Sequence, residues 1–247
     1  MNTPDATFTR GEFKARGSFV VRCEGCNLPA LNCLCPYRVS APSRARVWLL
    51  THRMEHYKPT NTGRLIGDVL EDTRVFTWHR TEPDAELLAL LQDERYAPFV
   101  VFPDDQPDYD NDRMVDNRAV GKAQREGRVP VYLLLDGTWR QARRIFRKSP
   151  YLDALPVLPL RTARQSRYRL RKSALAEHLS TAEVAAELLR QNGDSEAASA
   201  LDDYFEAFNE SYAASRGHRK IDAPSPAMQR LLARQTRVED DSNNAVF

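Results

Sequence analysis

The sequence predicts an α/β protein with a mostly parallel sheet and helices on both of its faces. Short apolar segments alternate with amphipathic helical segments along most of the 247 residues, as in sheets whose strands are joined by helices. The run Val131–Leu135 is apolar without polar alternation, which is typical of an inner strand covered on both sides. With 42% hydrophobic residues, the chain can bury one main core and at most a small appendage.

The first 40 residues are predicted to be separate from that sheet. Residues 1–20 are polar and unpatterned, and we expect them to form a flexible leader. Residues 21–40 contain all four cysteines of the chain, Cys23, Cys26, Cys33 and Cys35. Two pairs of thiolates on tight turns are typical of a structural zinc site, because each pair supplies two of four tetrahedral ligands. Disulfides are the alternative, but nothing in the sequence indicates an oxidising compartment.

Residues 44–213 carry the alternating elements. Strands are predicted at Val47–Leu50, Arg74–Trp78, Pro98–Phe102 and Val131–Leu135, with a proline-interrupted strand at Leu155–Leu160. Helices are predicted from Asn61 or Thr62 to about Leu70, at Asp84–Glu94 and Asn117–Glu126, after Thr138, after Ser180 and at Ser195–Tyr212.

Three residues after the first strand have the spacing of metal ligands. His52, Glu55 and His56 would align on one face of a helix. Pro59 and the absence of apolar periodicity instead predict a loop without a metal.

The chemistry is predicted to centre on Asp136, which follows the Val131–Leu135 strand. Open α/β sheets bind ligands at the carboxyl ends of their strands. Thr138 and Gln141 have the spacing of a helix capping box, and the inward stripe of that helix would be Trp139, Ala142, Ile145 and Phe146. The alternative for an Asp-Gly pair at a strand end is a turn carboxylate that only stabilises its own loop.

Charge is segregated along the chain although the net charge is only +2. Ten acids and one base lie between Glu82 and Asp112, whereas eleven bases and two acids lie between Asp136 and Lys172. So dense a basic block indicates a polyanionic partner, with one aromatic residue available to stack on a base. The predicted RNA-binding residues are Arg140, Arg143, Arg144, Arg147, Arg161, Arg164, Arg167, Tyr168, Arg169, Arg171 and Lys172.

The last segment, residues 214–247, is predicted to be a mostly disordered tail, with a short helix possible over Met228–Arg234. No apolar stretch approaches the length of a membrane span, and the N-terminus lacks the apolar core of a secretory signal. A cytoplasmic protein is therefore expected.

Asp136-Gly-Thr-Trp followed by Arg140-Gln-Ala-Arg resembles the signature of the DTW-domain family. Known members are tRNA-uridine aminocarboxypropyltransferases. The resemblance extends over about Arg22–Tyr212, through the cysteine cluster, Thr60–Leu65 and Leu179–Glu183. It implies a fold related to SPOUT methyltransferases, in which a C-terminal trefoil knot surrounds S-adenosylmethionine.

The implied reaction moves the 3-amino-3-carboxypropyl group of S-adenosylmethionine to N3 of a uridine in tRNA and releases methylthioadenosine. Asp136 would be the general base or a positioning group, and the donor carboxylate would bind the helix start at Ser180 and Thr181, or an arginine. A SPOUT-type RNA methyltransferase and a noncatalytic zinc-ribbon RNA-binding protein are the alternatives. The donor-binding residues expected from the resemblance are Pro103, Leu135, Gly137, Thr138, Trp139, Leu179, Ser180 and Thr181.

Overall fold

The computed structural model describes residues 20–104, 111–168 and 179–244. Within them, five strands form one parallel sheet in the order β2-β1-β4-β3-β5. The predicted leader lies outside the described residues except for Val20. The strands are β1 (Arg46–His52), β2 (Arg74–Trp78), β3 (Tyr96–Val101), β4 (Val129–Asp136) and β5 (Val157–Leu158).

Helices cover both faces of the sheet, which confirms the predicted α/β class. One face packs against α2 and α4, and the other against α1, α3, α5 and α6. The helices are α1 (Arg64–Gly67), α2 (Ala85–Leu91), α3 (Asn117–Arg125), α4 (Trp139–Arg147), α5 (Thr181–Gln191), α6 (Ser195–Arg216) and α7 (Pro226–Asn244). The first helix is a single turn, shorter than predicted, and Gly67 at its last position has a low helix propensity.

The central strand β4 pairs with β1 on one side and with β3 on the other. Its side chains alternate between the two cores, as pleated strands require. Tyr132 and Leu134 pack in the layer of α1, α5 and α6, whereas Leu133 and Leu135 pack in the layer of α2 and α4. By the same alternation, Asp136 at the end of β4 faces α1 and α5.

The cysteine segment packs on the main domain. Cys26, Leu28 and Leu34 are fully buried in the core that also contains α6. The Asn32 side chain donates to Ser215 Oγ at 3.0 Å and to the carbonyl oxygen of Arg219 at 2.8 Å, just beyond α6. Asn32 therefore joins this segment to the C-terminal part of the chain.

The C-terminal segment differs from the predicted, mostly disordered tail, because Pro226–Asn244 forms a helix. Ala227, Met228 and Leu231 are buried at helical spacing against the main core. Arg230 also pairs with Asp203 of α6 at 2.7 Å. The polar composition obscured this helix because three small or flexible side chains suffice to dock it.

No helix in the described ranges is both long and apolar enough to cross a membrane.

Candidate active site

Asp136 is buried at the carboxyl end of β4, with 3% of the residue exposed. Its Oδ2 accepts a hydrogen bond from Asn61 Nδ2 at 2.7 Å, and its Oδ1 accepts one from Thr181 Oγ1 at 2.7 Å. Thr51, at the end of β1, is its partner in the strand register. Two segments that are distant in sequence therefore hold one carboxylate in a fixed orientation.

Asn61 holds Asp136 and also caps α1. Its Oδ1 accepts from the backbone N–H of Arg64 at 3.0 Å, as a capping residue should, while its amide nitrogen reaches Asp136. Gly63 lies directly against the carboxylate, and a Cβ atom there would stand 2.8 Å from the Asp136 carboxyl atoms. Only glycine allows the turn before α1 to approach Asp136 this closely.

Burial raises the pKa of Asp136 above the usual aspartate range. The hydrogen bonds from Asn61 and Thr181 act in the opposite direction, and the negative charge of Glu55 adds to the increase. A carboxylate that is buried without a cationic partner is more basic than one in water. Asp136 is therefore suited to accept a proton.

A cleft of about 220 Å³ opens beside Asp136. Its floor is formed by β1 and β2, and the cysteine segment forms one rim. Buried Glu55 lies in the turn after β1, which is a loop as predicted. The lining residues are Gly25, Asn27, Leu49, Thr51, Glu55, His56, Asn61, Arg64, Asp68, Val75 and Asp136.

The residues expected to bind the donor follow the ends of β3 and β4 or begin α5. Gly137 and Thr138 directly follow Asp136, and the predicted capping box is confirmed because Thr138 Oγ1 and the Gln141 side chain cap α4. Leu135 points to the opposite face of the sheet, into the core of α2 and α4. Pro103 follows β3, the neighbour of β4.

Trp139 departs from the predicted inward stripe. Ala142, Ile145 and Phe146 are buried as predicted, but Trp139 is 37% exposed. Its ring stacks on Phe102 with a centroid distance of 5.3 Å. Phe102 directly follows β3 and is buried in the core of α2 and α4, so Trp139 covers that core at its exposed margin.

The predicted donor contacts at α5 are already engaged within the protein. The second predicted capping box is confirmed, with the backbone N–H of Ser180 donating to Glu183 Oε2 at 2.8 Å. Thr181 Oγ1 binds Asp136, and Leu179 is partly buried beside them. The structure thus brings the start of α5 to Asp136, but through side chains of the protein itself.

The predicted basic residues fall into two groups. Arg140, Arg144 and Arg147 are exposed on α4, and Arg143 is partly exposed. Arg140, Arg143 and Arg144 form no ion pair with the described residues. We define the surface formed by Arg140, Arg143, Arg144 and Arg147 as the α4 basic face.

The second group differs from the expectation of a free cationic loop. Arg164 and Arg167 pair with Asp202 of α6 at 3.1 Å, and Arg161 pairs with Asp104 at 2.7 Å. The Tyr168 hydroxyl donates to the carbonyl oxygen of Thr60 at 2.6 Å, so this ring is part of the protein's own packing. These three arginines are therefore paired with acids from distant parts of the sequence. Arg169, Arg171 and Lys172 lie outside the described residues.

The four cysteines converge as predicted. Their sulfur atoms all lie within 4.8 Å of one another, with Cys23 to Cys35 at 3.6 Å and Cys26 to Cys33 at 3.8 Å. Zinc–sulfur bonds of about 2.3 Å in a tetrahedron place the sulfurs about 3.8 Å apart. Hydrogen bonding, chiefly from the Cys26 backbone, lowers the pKa of Cys23 to about 6, whereas burial raises the pKa of Cys35 to about 12. The four thiols are positioned to bind one metal ion.

Sequence reasoning missed Arg64 and Gly63 as parts of this site and assigned Asn61 only a capping role. The signal that marked them was the Thr60–Leu65 resemblance, which includes all three. The contact of Asn61 with Asp136 spans 75 residues of sequence, which no local pattern predicts.

Comparison with known proteins places these features in context. The family model described as DTW domain matches residues 20–213. The tRNA-uridine aminocarboxypropyltransferase 2 of Mus musculus is 27% identical over 174 residues, and that of Macaca fascicularis is 25% identical over 174 residues. Each alignment covers 66% of this chain and 54% of the relative, so the chain spans about half the length of these curated relatives. No solved structure matches the chain at a significant level.

Proposed function

Because this chain belongs to the DTW domain family, we propose that it transfers the 3-amino-3-carboxypropyl group of S-adenosylmethionine to N3 of a uridine in tRNA. The observation that carries the proposal is the environment of Asp136. This carboxylate belongs to the motif that names the family, and it is buried beside a cleft with both oxygens fixed by Asn61 and Thr181. The names of the curated relatives support the same reaction.

Asp136 serves as the general base in this proposal. The uracil N3 gives up its proton to the carboxylate as it forms a bond to the carbon beside the sulfonium. The bond between that carbon and sulfur breaks, and its electron pair leaves with methylthioadenosine. The sulfonium is an activated leaving group, so the protein contributes mainly orientation and proton transfer. The raised pKa of Asp136 favours its role as proton acceptor.

The donor nucleoside is proposed to bind at the carboxyl edge between β3 and β4. Pro103, Gly137 and exposed Trp139 lie along that edge, where parallel sheets bind ligands. The relation to SPOUT methyltransferases and the C-terminal knot belong to the same proposal. What supports them is that α5 returns to the end of β4, where Thr181 contacts Asp136.

The cysteine cluster is proposed to hold a structural zinc ion. Four thiolates leave no open coordination position, so the metal would have no part in the transfer itself. The segment forms one rim of the cleft through Gly25 and Asn27. Zinc would thus support the substrate site by fixing that rim.

The proposed reaction is tested by incubating the protein with tRNA and S-adenosylmethionine labelled in its aminocarboxypropyl chain. We expect label in tRNA and an equal amount of methylthioadenosine. Formation of S-adenosylhomocysteine would identify an RNA methyltransferase instead. Binding of tRNA without consumption of the donor would identify a noncatalytic RNA-binding protein.

The α4 basic face is proposed to bind the tRNA backbone. Arg140→Glu, Arg144→Glu and Arg147→Glu together should weaken tRNA binding by roughly tenfold or more and reduce its salt dependence, because fewer counterions are released. Measuring the dissociation constant over a range of salt concentrations checks both effects. Donor affinity should be unchanged.

A matched control reverses three exposed charges on α3, at Arg118, Lys122 and Arg125. This helix has nine residues like α4 but covers the opposite face of the sheet. If both triple variants lose tRNA affinity equally, general electrostatic attraction explains the effect and the α4 basic face is not a specific site.

A further inference from the structure

Arg64 presents a guanidinium edge that lacks hydrogen-bond partners in the described part of the chain. It is the first residue of α1, directly after the glycine that touches Asp136. Its Nε and Nη2 atoms are both buried, and neither has a hydrogen-bond partner among the described residues. Folded proteins keep few buried donors unpaired, and each one that remains needs an explanation, such as strain, a catalytic role or an ion.

The arginine that carries this unpaired edge lines the cleft beside Asp136. Arg64 lines that cleft together with Glu55, Asp68 and Asp136. Two of these acids already have cationic partners, because Glu55 pairs with Lys58 and Asp68 pairs with Arg38 at 2.7 Å. Asp136 is held by the uncharged donors Asn61 and Thr181. Arg64 is the only arginine among the lining residues and forms no hydrogen bond through Nε or Nη2 with the described residues, so its guanidinium remains for an incoming anionic group.

The geometry of the edge selects the kind of anion. Nε and Nη2 lie on the same side of a guanidinium and donate two parallel hydrogen bonds, which matches the two oxygens of a carboxylate. Leu49 and Val75 add apolar surface to the lining of the cleft. A short aliphatic chain that ends in a carboxylate fits both features.

The other place expected to bind a donor carboxylate is already filled. At the start of α5, the Glu183 carboxylate accepts from the backbone N–H groups of Ser180 at 2.8 Å and Arg167 at 2.6 Å. It also accepts from Ser166 Oγ at 2.8 Å. The protein supplies its own anion at this helix start. An arginine was the other expected position for the donor carboxylate, and the structure favours it.

We propose that Arg64 binds the carboxylate of the 3-amino-3-carboxypropyl group and holds that group in the cleft beside Asp136. This inference rests on the proposed function and specifies which residue selects the transferred group. With the carboxylate fixed, the carbon beside the sulfonium is held on the Asp136 side, where the uracil N3 attacks. Holding this chain there, and not the methyl group, determines which carbon–sulfur bond is broken.

The test compares three ligands that differ in the relevant group. S-adenosylmethionine has the carboxylate, its decarboxylated form lacks only that group, and methylthioadenosine lacks the whole chain. Calorimetric titration of the full-length protein should show that Arg64→Gln weakens S-adenosylmethionine binding by about 10- to 100-fold, as for loss of a charge-assisted pair. The affinities for the other two ligands should change less than about twofold, which also shows that the fold is intact.

Two further variants sharpen the result. Arg64→Lys keeps the charge but not the parallel donors, and we expect intermediate affinity for S-adenosylmethionine. Arg53→Gln removes an exposed positive charge from the turn next to the cleft and should leave all three affinities unchanged. Equal losses in Arg53→Gln and Arg64→Gln would overturn a specific contact.

The remaining outcomes separate this inference from the proposed function. If Arg64→Gln binds S-adenosylmethionine as tightly as wild type, or loses affinity for all three ligands alike, Arg64 does not bind the carboxylate. Release of methylthioadenosine by wild type in the labelling assay would then still support the transferase. If wild type binds none of the three ligands, the proposed function and this inference both fail.

Discussion

Asp136→Asn should lower turnover by about 100-fold or more while the protein stays folded and binds its donor. Asparagine keeps the size of the side chain but removes its basicity. Its oxygen can accept from Asn61, and its amide nitrogen can donate to the Thr181 hydroxyl. The variant can therefore form a hydrogen bond with each of the two partners of the wild-type carboxylate. Single-turnover rates with tRNA, together with donor affinity and thermal unfolding, measure the three quantities separately.

The pH dependence of stability gives an independent check on the same variant. Burial raises the pKa of Asp136 in the folded protein, so the folded state binds this proton more tightly than the unfolded chain does. Its contribution to stability is therefore present at low pH and is lost as the pH rises through the folded pKa. Asparagine does not titrate. The melting temperature of the variant relative to wild type should consequently increase over that pH interval.

If Asp136 has only a structural role, the Asp136→Asn variant should lose stability first. Asp136→Asn would then lower the melting temperature, and donor binding and turnover would fall in proportion to the folded fraction. Near wild-type turnover in a stable variant would end the claim that Asp136 takes part in the chemistry.

Removal of the metal from the cysteine cluster should destabilise the whole domain. Structural zinc sites contribute several kcal/mol to folding, and a loss of about 4 kcal/mol corresponds to a fall in melting temperature of roughly 8–16 °C for a chain of this size. Cys26, Leu28 and Leu34 belong to the same core as α6. Unfolding should therefore remain one transition that moves to lower temperature, as differential scanning calorimetry will show.

Elemental analysis of protein purified without chelator should give one zinc per chain. Cys26→Ser, at the buried position of the cluster, should reproduce the effect of a chelator, and added zinc should restore wild type but not the variant. Magnesium serves as the control ion because four thiolates do not suit it. A zinc-free protein with unchanged stability would refute the assignment.

The sequence predicted the elements well where a local pattern determines them. The apolar run of β4 and the capping boxes at Thr138 and Ser180 depend on neighbours within a few residues, and all three are found in the structure. The four cysteines likewise reveal their site by spacing alone. These features need no knowledge of tertiary contacts.

The errors concern contacts between distant segments. Arg164 and Arg167 belong to a basic run in sequence, but both pair with Asp202 on α6. The helix α7 docks through buried Met228 and Leu231 and through the Arg230–Asp203 ion pair. The pairing of Asn61 with Asp136 depends on the parallel order of β1 and β4. Each depends on where the chain folds back, which charge and hydropathy patterns do not encode.

The attachment of the cysteine segment to the C-terminal helices has a consequence for the order of folding. Asn32 binds Ser215, and Gln235 of α7 donates to the Arg38 carbonyl oxygen, across separations of 183 and 197 residues. At ribosomal rates of about 5–20 residues per second, the cysteines are made roughly 10–40 s before these partners. During that interval their thiols are open to oxidation. Early capture of metal would protect the nascent chain, so the yield of intact protein in a cell should depend on the metal supply during synthesis.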